Sequence, residues 1–93
     1  YNIPHSKAPE ILDSQLKVIK KHQVQWVVLN TPAGKQINKW NGSPNMAGKI
    51  ISGNINPGTK KIAKPLLKNY RVVTNHTQNF ESANVTYWLL KRK

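Results

Sequence analysis

Three groups of residues in this chain are of types that move protons or hold phosphate. The first is Lys20-Lys21-His22, running into Gln23-Val24-Gln25-Trp26. An imidazole exchanges its proton near neutral pH and ammonium groups hold anions, so His22 with Lys21 is a candidate catalytic pair, with Lys20 beside it on RNA. Basic residues closing a helix would look the same with no chemistry attached. The second group is Arg71 with His76. Arginine keeps its charge and forks onto phosphate oxygens, which suits stabilisation of a charged transition state. His76 falls in the polar run Asn75-His76-Thr77-Gln78-Asn79, which reads as a loop, where a histidine is ordinarily just solvated. The third group is Val85-Thr86-Tyr87-Trp88-Leu89-Leu90, a strand by its composition. Alternation puts Thr86 and Trp88 on one face and Tyr87 and Leu89 on the other. If Val85, Tyr87 and Leu89 are core, Thr86 supplies an exposed hydroxyl beside Trp88, a platform for an unpaired base. The opposite assignment buries Trp88 and turns Tyr87 outward. Lys60 and Lys61, after Thr59, can contact phosphate, although no P-loop spacing surrounds them.

The chemistry these groups suit is cleavage of RNA without a metal. Fifteen Lys and Arg stand against three acids (Glu10, Asp13, Glu81), a formal net charge of +12 on 93 residues. Such a field opposes compaction unless a polyanion uses it, and neutralising phosphates releases counterions. There is no Cys, and His5, His22 and His76 are scattered, so no ligand set has metal spacing. Neither a metal nor another cofactor is expected. RNA carries its own nucleophile, the 2′-OH. A base for that proton, an acid for the leaving 5′ oxygen and cations for the phosphate are then enough. DNA hydrolysis ordinarily uses acidic metal ligands, which this composition lacks.

The elements that must position these groups can be read in outline. The length suits one domain, with an irregular arm over about residues 1–8. Pro9 at a first turn, Glu10 and Asp13 behind it, Leu12, Leu16 and Ile19 on one face, and Lys17, Lys20 and Lys21 toward the end predict a helix from Pro9 to Lys21. Val24 to Leu29 reads as a strand, and Lys35 to Trp40 as a short returning one. Asn41 to Asn45 and Asn56-Pro57-Gly58 are turn signals. Ile50-Ile51 fits a short strand, and Thr59 to Lys68 leans helical but contains Pro65. Tyr70–Thr74 and Asn84–Leu90 predict a long hairpin. The fold class expected is α+β, an N-terminal helix or helices packed on a small twisted antiparallel sheet. No apolar run approaches the roughly 20 residues of a membrane span.

A basic helix ending Lys17-x-x-Lys20-Lys21-His22, an aromatic four residues on at Trp26, a lysine-rich middle and a C-terminal Thr86-x-Trp88 together resemble a known group. It is the C-terminal tRNase domains of bacterial polymorphic and contact-dependent growth inhibition toxins, with the barnase/EndoU/colicin D/RelE-like fold. In the colicin D pattern a helix-end Lys/His cluster and a C-terminal Ser-x-Trp belong to the active site. Here that pattern falls on Lys20, Lys21 and His22, and on Thr86 and Trp88, with Thr standing for Ser and Tyr87 where Gly is favoured. The resemblance implies metal-independent cleavage of tRNA and neutralisation by an acidic immunity protein. It also implies delivery from a larger secreted or cell-surface protein into the cytoplasm of a target cell, with which a first residue other than Met agrees. For some members it implies engagement of elongation factor Tu. The alternatives on composition alone are a non-enzymatic RNA-binding module and a sheet-based DNA-binding protein.

Overall fold

The computed structural model describes residues 1–4, 8–32, 40, 42–53, 56–81 and 84–93. Its elements run β1 (Asn2–Ile3), α1 (Pro9–His22), β2 (Trp26–Pro32), α2 (Pro44–Ser52), α3 (Pro57–Asn69), β3 (Tyr70–Asn79) and β4 (Asn84–Arg92). The strands form one sheet in the order β1-β2-β4-β3. The fold is α+β, helices packed on a small sheet, as the residue pattern implies. β2, β4 and β3 are antiparallel, while β1 adds a parallel edge beside β2. The N-terminal arm is therefore not irregular throughout. Ile3 is fully buried opposite Leu29, and Asn30 Nδ2 donates to Asn2 Oδ1 at 2.5 Å and to the Ile3 carbonyl at 2.6 Å. Two parallel neighbours need a crossover between them, and α1 supplies it.

α1 forms where the periodicity puts it and buries Leu12, Leu16 and Ile19. It ends because Gln23 adopts a left-handed conformation (φ 50°, ψ 46°), from which the chain turns into β2. α3 bears out the helical leaning of Thr59 to Lys68 but starts earlier, at Pro57, and α2 replaces a segment read as turn and short strand. Ser43 and Asn56 look like turn residues but are N-caps: Ser43 Oγ accepts from the Met46 amide and Asn56 Oδ1 from the Gly58 amide. Pro44 and Pro57 then fall in the first helical turn, where a missing N–H costs nothing. Ile50 and Ile51 are thus helical, not a strand. Pro65 lies inside α3 without ending it; burial of Ile62, Ala63 and Leu66 outweighs the lost hydrogen bond. The returning strand expected from Lys35 to Trp40 falls, apart from Trp40, outside the described residues.

The core lies between the helices and one face of the sheet. Val27 and Leu29 from β2, Trp88 and Leu90 from β4, and Tyr70 from β3 meet Leu12, Leu16, Ile19, Ile51, Ile62 and Leu66 from the helices. Every fully buried apolar strand residue is on this face. The hairpin is longer than its β-branched residues suggest, because β3 continues through Asn75–Asn79 paired with Asn84–Trp88. His76 is therefore a strand residue and not a loop residue.

Candidate nucleic-acid interface

Three ladder rows decide which side chains share the uncovered face of the sheet. Trp26, Lys91 and Arg71 stand side by side across β2, β4 and β3; Val28, Leu89 and Thr74 follow, and then Asn30, Tyr87 and His76, with Asn30 buried where it bonds to Asn2 and Ile3. Their alternates (Val27, Leu90, Leu29, Trp88, Thr31, Thr86) are buried under the helices. Arg71, Thr74 and His76, on edge strand β3, are exposed, and Tyr87, Leu89 and Lys91 are half-exposed. Trp26 is 44% exposed, with the Lys91 ammonium 5.2 Å from its ring centre. A cation over an indole face is attractive, and the pair fixes a flat surface beside a positive charge.

A β-bulge makes this face. Arg71 and His76 are five residues apart, and strict alternation would send them to opposite sides. Between Val72 and Thr74 the register slips, so that Val72 pairs with Leu90 and Thr74 with Leu89, leaving Val73 as the extra residue. The slip reverses the parity of everything after it. Arg71, Thr74, His76 and Gln78 consequently share the uncovered face. His76 stands directly opposite Tyr87, a position where cross-strand side chains touch. Arg71, opposite Lys91, lies four ladder steps away, about 13 Å along the sheet.

The third group of sequence candidates is divided by the sheet. Trp88 is fully buried, with its Nε1 donating to Thr31 Oγ1 at 3.0 Å and its ring edge-on to Trp40 at 6.1 Å between centres. Thr86 is equally buried, its hydroxyl 2.9 Å from that of Thr77. This corrects the reading that exposes Thr86 and Trp88 together. The helices select that face as core, so Trp88 offers no stacking surface and Thr86 no accessible hydroxyl. Tyr87 is the residue turned outward.

The helix-end group occupies a third place. Lys20, Lys21 and His22 are exposed on the last turn of α1. Lys20 also lines a cleft of about 160 Å³ between the C-terminal ends of α1 and α3, floored by Leu16, Ile19 and Leu66. At one wall the Tyr70 hydroxyl donates to the Val24 carbonyl, and Arg92 Nη1 donates to the Gln23 carbonyl at 3.4 Å. Burial pushes the Tyr70 phenol above its ordinary value of 10.0, with Arg92 pulling in the opposite direction. Lys60 and Lys61 are exposed on α3. The candidates therefore fall at the helix end, in the core, on α3 and on the uncovered sheet face. Among the described residues, the uncovered face is where a histidine stands opposite a tyrosine, with an arginine about 13 Å further along the same face.

No family model, curated protein or solved structure matches this chain. The geometry stands on its own residues. In the sequence Trp26 enters only beside the helix-end group and through the resemblance, and Lys91 not at all; the signal that could have found their shared face is the alternation of β2 and β4, which puts Trp26 in phase with Val28 and opposite to buried Val27 and Leu29. Among the described residues, no three of His, Cys, Asp and Glu come together, and no helix is long and apolar enough to cross a membrane.

Proposed function

We propose that the protein binds unpaired RNA on the uncovered face of its sheet and cleaves it without a metal. The observation that carries this reading is the bulge at Val73, which sets His76 beside Tyr87 and on the same face as Arg71, Lys91 and Trp26. A flat sheet face bearing an exposed indole and cations is a surface on which bases stack and phosphates are neutralised. On it, His76 takes the 2′-OH proton as the 2′ oxygen attacks the adjacent phosphorus. The bond to the 5′ oxygen breaks, and that oxygen leaves with the Tyr87 hydroxyl proton. The proton held by His76 returns to the Tyr87 phenolate through solvent. The products are a 2′,3′-cyclic phosphate and a 5′-hydroxyl. Arg71 and Lys91 hold the backbone phosphate further along the strand. The resemblance to the tRNase toxin domains supports tRNA as the substrate. It also supports an acidic immunity protein as partner and action in the cytoplasm of a target cell.

The test is incubation of the purified protein with tRNA in EDTA, with the fragment ends identified. Cyclic phosphate ends are expected, with the rate reduced at least about 100-fold in His76→Ala and in Tyr87→Phe while RNA binding changes little. His22→Ala is the contrasting variant: if it alone abolishes cleavage, the centre is the helix end of the colicin D pattern. Intact tRNA after prolonged incubation would reject catalysis. It would leave the second reading, a non-enzymatic RNA-binding module, which the exposed Trp26–Lys91 pair favours by itself.

A further inference from the structure

The solvent side of α3 is made of lysine. Lys60, Lys61, Lys64 and Lys68 are all exposed, while Thr59, Ile62, Ala63 and Leu66 are buried. At 100° per residue the four lysines occupy an arc of about 100°. Lys60, Lys64 and Lys68 follow one another at steps of about 6 Å along the helix. The α1–α3 cleft lies on another side of α3, lined there by Pro65, Leu66 and Asn69, so the row is separate from Lys20 on the cleft's α1 wall. No acid lies in α3; the acids of α1, Glu10 and Asp13, are in its first turns, and Asp13 is already 3.9 Å from Lys17. Like charges repel along a helix, so such a row weakens α3 unless an anion lies over it.

We infer that this lysine row is a second RNA-docking surface, taking the phosphate backbone of a double-helical segment. Its chemistry separates it from the sheet face. It exposes no aromatic ring, so unpaired bases have no platform there. A regular line of long, flexible cations suits the repeating phosphates of a helix read by shape. An acidic protein is the poorer fit, because lysine is depleted from interface cores and no apolar anchor interrupts the row. The exposed Ile11 and Val18 of α1 lie on its other flank. A structured RNA with a stem and an unpaired strand would then engage both sides of the molecule. The surface rests on the RNA-binding reading above but uses none of the residues of the sheet face.

The experiment compares two RNAs, a hairpin stem and an unpaired oligonucleotide, by fluorescence anisotropy at about 0.15 M salt, where the Debye length is about 8 Å. All proteins carry His76→Ala so that the RNA survives. The molecule is 19 Å across its shortest axis, so charge removed from one side is largely screened at the other. Lys60→Gln/Lys64→Gln/Lys68→Gln should lose about 10-fold or more on the stem, with the salt slope shallower by about 2–3. On the unpaired RNA it should change less than about 3-fold. A charge-matched control, Lys17→Gln/Lys49→Gln/Lys93→Gln, should lose much less on the stem. Equal losses in both triple variants, or on both RNAs, would overturn the docking surface in favour of net charge. So would an unchanged stem affinity, including one accompanied by lost binding of an acidic protein. A parent that binds neither RNA would overturn the sheet-face reading as well, whereas failure of the α3 variant alone leaves it standing.

Discussion

Trp26 and Trp88 lie on opposite sides of one sheet, and removing each should change a different property. Trp88 fills the core and donates to Thr31, so Trp88→Ala should cost about 3–5 kcal/mol of stability, read from a denaturant midpoint. Trp26→Ala should leave the midpoint nearly unchanged and weaken RNA binding by about 1–3 kcal/mol, the usual worth of a stacked base. The reverse pattern would mean that RNA does not use this face. Alternation in the sequence pairs Thr86 with Trp88 and Tyr87 with Leu89 but does not say which pair is inside. That choice is made by the helices, whose own buried faces are long-range information. Tyr70 gives a pH signature of the core. Burial raises its phenol, so the folded state keeps the proton at a pH where the unfolded chain has begun to lose it. Its contribution is present in full below about pH 10 and is lost as pH rises through the folded value. Stability should therefore fall above pH 10, and Tyr70→Phe should flatten that limb. The same variant should cost about 1 kcal/mol at neutral pH for the lost bond to Val24.

The elements were legible where one signal dominated and obscure where two shared a residue. α1 has its apolar spacing, its early acids and its late cations all in agreement. At Ser43-Pro44 and Asn56-Pro57 the residues that start a helix are also those that make a turn, and only the chain beyond them decides. The bulge is the least legible of all, since nothing in Val72-Val73-Thr74 distinguishes a slipped register from a regular one. Its consequence can be tested by changing the length of β3. Deleting Val73, a residue 40% exposed, leaves Arg71, Thr74 and His76 in strict alternation on the same face. That variant should fold and keep RNA binding and cleavage within a few-fold of the parent. Inserting one threonine after Thr74 should instead turn His76 toward the helices, lower the melting temperature and abolish cleavage. If the deletion destroys activity while the fold survives, then the local twist of the bulge matters, and not only the parity it restores.

At the scale of the molecule, charge acts on folding and on binding with opposite signs. The chain carries +12, and among the described residues the one ion pair is the exposed Asp13–Lys17 contact, worth little. Repulsion among the fifteen cations is thus barely offset from within, and salt should relieve it. Raising ionic strength from about 0.01 to 0.15 M shortens the Debye length from about 30 to 8 Å, so lysines on neighbouring turns and helices stop sensing most of one another. The melting temperature of the free protein should therefore rise with added salt. RNA does the same work through direct contact and adds binding energy to the folded state, so it should raise the melting temperature most at low salt. Its affinity must then fall as salt rises, by about 10³-fold or more between 50 and 200 mM if six or more phosphates are neutralised. A thermal titration of salt with and without RNA checks both slopes together: the two melting curves should converge as salt increases. Parallel curves would mean that RNA is held mainly by uncharged contacts. A free-protein melting temperature that fell with salt would mean that the lysines are paired in the fold and are not waiting for a polyanion.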